Sequence, residues 1–344
     1  MYTSKLADMG IFIHRNRNLR GGIKPHLSVR FRSDEGKIKT FAVDTSRTTS
    51  KEGEPDLYLI THAHSDHFGK SAMISQNSVC TEETARALEI RYKREFLGKK
   101  VGINDSFLIK GVNVKTCPVY HTAGSNAFFW ENENGVRILV TGDVKEASDL
   151  PKCDVLITEA NYGDPNEPSC YFNDDLENIK RIIYENIGYN KIAFGAYDFG
   201  KSQKVVEILR YIGYKGPIAM NKITYALTSE FVENAGDLVP INVKERMSTK
   251  KAADISIVPP NKLTAVGSNF KKYVLTCRDI YPYPSIRISD HLDVRGLDEM
   301  VKKCSPEVTI TYHPNTGDRP EKYAQHLRTK GYDAFSLSEI KNIL

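Results

Sequence analysis

Between positions 61 and 69 the chain reads Thr61-His-Ala-His-Ser-Asp-His-Phe-Gly69. Three imidazoles and a carboxylate fall within six positions, in a chain that has nine histidines in all. Imidazole nitrogen and carboxylate oxygen are the ligands zinc takes at catalytic centres, where one position stays open to water or substrate. His62 and His64 are two apart, so on an extended backbone their rings share a face. Asp66 and His67 then turn toward a neighbouring point. The arrangement predicts two adjacent metal ions rather than one.

More acids and histidines recur at the ends of expected strands. Asp44 closes a strand and suits either a turn or a brace that hydrogen-bonds the metal loop. His121 follows the strand Val112–Val119 in a small-residue turn, as a third ligand. Asp143 ends the strand Val136–Thr141, where one carboxylate can bridge two metals. Glu159 ends Asp154–Glu159, and His291 and His313 end two late strands. Strand ends of a layered sheet gather on one edge, where sites form. Gly195-Ala-Tyr-Asp-Phe-Gly200-Lys201-Ser202 matches the letters of a phosphate-binding loop. It reads equally as a strand, a turn and an ordinary helix N-terminus.

The elements that would carry these residues follow from pattern. Leu57–Ile60 is an apolar run that mounts the His-rich turn. Leu27–Arg32 and Lys37–Val43 read as a hairpin through Glu35-Gly36, and Asn126–Trp130 with Val136–Thr141 as another through Asn134-Gly135. Helices are expected at Lys70–Ser75 and Glu82–Phe96, and a strand at Val101–Ile109. From about 163 to 285 strands and helices alternate, with helices at Asn173–Ile187 and Gly200–Ile212 and polar turns at Thr249–Ala252 and Pro259–Asn261. Ile286–Val294 reads as a strand running into the helix Val294–Cys304. A tail of helix, short strand and helix closes the chain from Pro320.

Composition is that of a soluble globular protein, 40% hydrophobic and 26% charged over 344 residues. The 48 basic and 43 acidic residues leave a net charge of +5, compatible with a polyanionic partner. Six scattered cysteines without a CxxC read as free buried thiols. No run approaches the roughly 18 apolar residues of a membrane span, and the first residues lack a signal-peptide core. A cytoplasmic location without a membrane partner is expected. A homodimer is compatible with the sequence, which does not set the oligomeric state.

With the His-rich turn, Ser289-Asp-His291 and Thr311-Tyr-His313 after a long insertion, the chain resembles metallo-β-lactamase-fold nucleases of the β-CASP family. The resemblance runs from Asp44 to His313. It implies an α/β fold: a metallo-β-lactamase αββα sandwich in two parts, residues 1–162 and 286–344, interrupted by an α/β β-CASP cap at 163–285. It implies that His62, His64 and His121 hold one zinc, that Asp66, His67 and His313 hold the second, and that Asp143 bridges them. Asp44 would brace the ligand loop, and Glu159 would orient His291 as general acid beside Asp66. Gly200-Lys-Ser-Gln203 resembles the helix-opening segment of the cap and not a nucleotide-binding loop, with Lys201 and Ser202 as nucleic-acid contacts.

The activity so implied is hydrolysis of phosphodiester bonds in single-stranded RNA or DNA by two zinc ions, with manganese also suited to these ligands. RNA processing, in the manner of an mRNA 3′-end processing factor, is favoured; His313 is usual among RNA-processing members and also among ligase-associated DNA exonucleases, so it favours two metals without setting the nucleic acid. Thr158-Glu-Ala-Asn-Tyr-Gly163 is similar to ligase-associated DNA exonucleases, which are the alternative. A small-molecule hydrolase of the same fold is a further reading, against which the insertion and His291 argue. A catalytically silent RNA-binding subunit is opposed by the filled ligand positions.

Overall fold

The computed structural model describes residues 2–17, 23–47, 54–242, 253–278, 280–314 and 316–340. The chain builds three sheets in turn. Helix α1 (Tyr2–Asp8) leads into the antiparallel strands β1 (Ile11–Arg17), β2 (Ile23–Arg32) and β3 (Ile38–Val43). The expected hairpin is β2–β3, which turns on Gly36 at φ 72°. The parallel strands β4 (Leu57–Leu59), β5 (Ser78–Thr81) and β6 (Lys99–Val101) extend this sheet. Parallel neighbours need crossovers, supplied by α2 (Gly69–Ala72) and α3 (Glu82–Tyr92). Thr81 caps α3, its hydroxyl accepting from the Thr84 N–H at 3.2 Å.

The second sheet starts with the meander β7 (Ser106–Ile109), β8 (Val112–Pro118), β9 (Asn126–Glu131) and β10 (Arg137–Val140), then adds β11 (Val155–Glu159) parallel to β10. The expected strand Val101–Ile109 is therefore two strands in different sheets. The Asp105 carboxylate accepts the Gly102 N–H at 2.7 Å, closing a turn there, and Asn104 takes φ 65°. That turn carries the chain from one sheet to the other.

A third, wholly parallel sheet follows. Its elements are α4 (Leu176–Asn186), β12 (Lys191–Gly195), α5 (Lys201–Tyr211), β13 (Ile218–Asn221), α6 (Lys222–Phe231) and β14 (Leu238–Ile241). Then come β15 (Ile255–Val258), β16 (Phe270–Leu275) and β17 (Ser285–Ile286). The strand order is β14-β13-β15-β12-β16-β17. The expected strand over Ile286–Val294 shrinks to β17, and Arg287–Asp293 forms a loop. The turn expected at Thr249–Ala252 lies outside the described residues.

The chain then returns to the second sheet through α7 (Val294–Cys304), β18 (Val308–Tyr312), α8 (Arg319–Thr329) and β19 (Ala334–Ser336). That sheet has the order β19-β18-β11-β10-β9-β8-β7. The first two sheets share one core: Val29, Phe31, Phe41 and Leu57 meet Trp130, Ile138, Ile157 and Ile310. Alternation turns Leu139 and Leu156 to the opposite face, against Leu297, Val301 and Leu327 of α7 and α8. With α2 and α3 on the first sheet, the layers are αββα, a metallo-β-lactamase sandwich interrupted by an α/β unit.

Two compact units result, Met1–Tyr171 with His291–Leu344, and Phe172–Asp290. The joints expected at 162/163 and 285/286 thus fall at 171/172 and 290/291. Residues 163–171 stay with the sandwich, where Glu167 accepts from Arg319 Nε at 2.8 Å and Asp164 from Lys322 Nζ at 2.8 Å.

Candidate metal centre

The His-rich turn is held from beneath by Asp44. This residue leaves β3 at φ 49°, a left-handed conformation that Asp tolerates better than most residues. Its Oδ1 accepts the Thr61 N–H at 2.8 Å, and its Oδ2 accepts the Thr61 hydroxyl at 2.7 Å and Nδ1–H of His67 at 2.8 Å. The Thr61 hydroxyl has then used its proton, so it accepts from His62 Nδ1 at 3.0 Å. One carboxylate thereby fixes two tautomers, with the Nε2 lone pairs of His62 and His67 aimed inward. The brace expected of Asp44 is its observed contact.

Ser65–His67 form a single 3-10 turn, and Phe68 takes φ 52° to start α2. Asp143 arrives from the opposite sheet. Gly142 before it has φ 61°, and a Cβ there would lie 2.5 Å from the Thr61 hydroxyl oxygen. Only glycine allows the two loops to meet so closely. His121 follows Tyr120 (φ 56°), and Ser125 Oγ accepts its N–H at 2.9 Å.

The side chains converge. One ligand atom each from His62, His64, His121 and Asp143 lie within 4.8 Å of one another, as do those of Asp143, Glu159, His291 and His313. His64 Nδ1 and His121 Nε2 stand 3.0 Å apart. The Asp143 carboxylate lies centrally, with Oδ2 3.6 Å from His62 Nε2 and 3.4 Å from His67 Nε2, and Oδ1 3.4 Å from His313 Nε2. His313 Nδ1 donates to Pro314 O at 2.6 Å, which turns its Nε2 lone pair to the centre.

These residues fit metal ions on chemical grounds. Nε2 of His62, His67 and His313 is buried without a hydrogen-bond partner, a costly arrangement unless a cation completes it. Burial and then the neighbouring His67 press His62 well below the ordinary imidazole range. In His67 burial acts the same way, but Asp143 and Asp44 outweigh it and raise the ring well above that range, so a cation there would take the place of the Nε2 proton. Burial would raise Asp143, yet His67, His313 and His291 hold it well below the usual carboxylate range.

His291 differs from the other rings. Its Nδ1 faces both oxygens of Glu159, at 3.0 and 2.9 Å, and its Nε2 lies 4.0 Å from Asp143 Oδ2. Glu159 is itself fixed by the Val144 N–H at 2.6 Å. Burial and the nearby Asp143 push Glu159 well above the usual carboxylate range. Leu292 N donates to Val144 O at 2.8 Å, and Asp293 caps α7 through the Gly296 N–H at 2.9 Å.

Asp66 sits on the 3-10 turn, but its carboxylate is in none of the close ligand groups among the described residues. Burial raises Asp66 and is outweighed by His67 and His64, which lower it. A residue unforeseen from sequence supports that turn: His26, on β2, donates from Nε2 to Asp66 O at 2.7 Å and packs 5.0 Å from the His67 ring. Its one local signal is its place just ahead of the alternating run Leu27–Arg32, where it is buried with Leu27, Ser28 and Val29. Burial and then His67 bring its pKa down to about 4.

Lys201 and Ser202 lie in the other unit, and Ser202 requires a correction. It is fully buried and its hydroxyl donates to Tyr197 O at 2.5 Å, so it has no proton to offer a phosphate. Lys201 is buried too, with Nζ 5.6 Å from the Tyr197 ring centre. Gly200, at φ 88°, opens α5 beneath this closed loop.

Residues 39–188 match the Beta-lactamase superfamily domain. The DNA cross-link repair 1A protein of Mus musculus is 25% identical over 195 residues, 53% of this chain and 19% of that one. An RNase J-like protein of Methanocaldococcus jannaschii is 23% identical over 186 residues, 45% of this chain and 43% of that one. A UPF0173 metal-dependent hydrolase of Methanosphaerula palustris is 30% identical over 112 residues, 28% of this chain and 49% of that one. The chain thus spans between a fifth and a half of the length of these relatives. Among solved structures, a protein of unknown function from Enterococcus faecalis superposes with a TM-score of 0.63 at 14% identity, over 93% of this chain and 95% of that one.

Proposed function

From a chain that carries a β-lactamase superfamily domain and a His/Asp metal-binding cluster, we propose a zinc-dependent nuclease of the β-CASP type that hydrolyses single-stranded nucleic acid, RNA in preference. The observation that carries this reading is the Glu159–His291 pair beside the Asp143 carboxylate. His62, His64 and His121 would hold one cation, His67 and His313 a second with Asp66, and Asp143 would bridge. Cations held there would supply a water of lowered pKa and a counter-charge for a phosphate. His291 would hold a proton on Nε2, and Glu159 would orient the ring through Nδ1. The ring is thereby placed to protonate a leaving sugar oxygen. Asp44 orients His62 and His67 throughout. The match to an RNase J-like protein supports RNA, and the match to a DNA cross-link repair protein supports a nuclease more broadly. The matches to UPF0173 metal-dependent hydrolases favour a second reading, a small-molecule hydrolase on the same centre.

The test is cleavage of end-labelled RNA and DNA oligonucleotides, single- and double-stranded, by the wild type and by His291→Ala, with metal content measured for both. RNA cleavage by the wild type, lost in the variant at unchanged metal content, is expected. Cleavage of DNA alone would transfer the activity to a DNA exonuclease. Loss of metal in the variant would remove His291 from its assigned role. Thioester or other small-molecule turnover without any oligonucleotide cleavage would favour the second reading.

A further inference from the structure

Four of the chain's five net positive charges belong to the unit Phe172–Asp290, which has 17 lysines and arginines against 13 acids. It also has nine of the 18 tyrosines. Its sheet ends on an incomplete edge. β17 covers only Val274 and Leu275 of β16. Phe270–Tyr273 therefore have β12 on one side and no strand on the other, among the described residues.

A cavity of about 410 Å³ opens on that bare edge, lined by Phe270, Lys271, Lys272, Tyr273, Tyr283 and Pro284 together with Ser268. Lys271 and Lys272 are its charged lining residues, and among the described residues no acid lines it. Lys272 is held in place: its Nζ donates to Val266 O at 2.7 Å and stands 5.8 Å from the Tyr283 ring centre. The Val274 N–H donates outward to Pro284 O, and by the alternation of a parallel strand the Lys272 N–H is turned to the same side. Tyr273 and Tyr283 are half-buried and rest against the two faces of the core beneath. Lysines on a bare edge also repel other strands. That role accounts for the charge but needs neither a concave site nor two braced rings.

We propose that this cavity is a subsite for single-stranded nucleic acid, in which a base stacks on Tyr283 while Lys271 and Lys272 take the adjacent phosphates. The inference rests on the nuclease reading above. A cationic groove with aromatic platforms is the chemistry that grips a single strand without reading its sequence. The volume suits one nucleotide.

The test is binding of a fluorescein-labelled uridine 12-mer to the full chain in chelator, where no turnover occurs, read by anisotropy across a salt series. Tyr283→Ala should weaken binding about tenfold, and Tyr283→Phe should restore it. Lys271→Gln with Lys272→Gln should flatten the slope of log K against log salt by about 1.4, and Lys271→Gln alone by about half of that. Metal-loaded hydrolysis of bis(p-nitrophenyl) phosphate should be unchanged in all four. Wild-type affinity and salt slope in every variant would overturn the proposal, even if the wild type cleaves RNA. A wild type that cleaves no oligonucleotide, but whose binding falls as described, would overturn the nuclease reading and leave this site standing.

Discussion

Asp44→Asn should strip metal from the centre without disturbing the fold. The backbone N–H of Thr61 is a donor that cannot reverse, and it lies 2.8 Å from Asp44 Oδ1. An asparagine must therefore keep its oxygen there and present its NH₂ to the Thr61 hydroxyl and to His67 Nδ1, where Oδ2 now accepts at 2.7 and 2.8 Å. His67 then becomes an acceptor at Nδ1 and carries its proton on Nε2. The Thr61 hydroxyl, now accepting from the amide, donates to His62 Nδ1, and that ring moves its proton to Nε2 as well. Both inward lone pairs disappear. Restoring them for a cation sets donor against donor and forfeits the charge-assisted hydrogen bond at His67 and the Thr61 hydrogen bond at His62. Changes in such supporting contacts cost about 10–100-fold in metal affinity, and two affected rings bring the expected loss to the upper end or beyond. Backbone strain does not enter, because φ 49° at Asp44 suits asparagine. The assay is zinc titration of the chelator-treated variant, with metal content after dialysis. A 100-fold weaker Kd would also remove about 2.7 kcal/mol of zinc-dependent stabilisation at saturating metal. Wild-type stoichiometry and affinity in Asp44→Asn would refute the tautomer reasoning.

Three further substitutions test the frame that carries the centre. Gly142→Ala adds a Cβ 2.5 Å from the Thr61 hydroxyl oxygen at φ 61°, and should cost roughly 2–5 kcal/mol from strain and overpacking. Gly135→Ala, at φ 69° with open space around it, should cost only about 1 kcal/mol; equal thermal midpoints for the two would contradict the close approach. Asp154 accepts from Arg137 Nε at 3.0 Å and from its backbone N–H at 2.7 Å. That guanidinium contact, ahead of the opposing desolvation, holds its carboxyl below the usual value of 3.8. Its stabilisation is therefore full above pH 3.8 and fades as pH falls through the lower folded value. In chelator, urea unfolding should show Asp154→Asn less stable at neutral pH, with the gap closing in acid. A gap that widens toward acid would reverse the assignment.

Much of the centre was legible because its residues sit where strands stop. A strand end is marked locally, by an apolar run followed by turn residues, and Thr61, Asp143, Glu159 and His313 all follow such runs. What failed depends on partners far along the chain. Val101 and Phe107 read as one strand, since nothing local reports that the Gly102–Asp105 turn changes sheets. Ser202 looked like a phosphate ligand at a helix N-terminus, whereas its hydroxyl is committed to Tyr197 O, a contact set by the path of the preceding loop. His26 escaped because its partner is a backbone carbonyl forty positions away, and main-chain acceptors have no residue type to recognise. Segment 287–293 looked like a strand from its first alternation, but pairing with β16 lasts two residues.

The placement of β18 beside β11 has a consequence for how the molecule comes into being on the ribosome. β11 is buried along its whole length, and the strand that covers its far edge begins at Val308. At about 5–20 residues per second of synthesis, that edge waits roughly 7–30 s for its partner. During the wait it is an apolar template for any other strand. The side chains proposed to hold metal arrive on the same schedule: His62, His64, His121 and Asp143 emerge early, and His313 comes five residues after β18 begins. On the proposed assignment, a cation that reaches the growing chain would meet half of a site, and the first metal choice would fall to three imidazoles and one carboxylate.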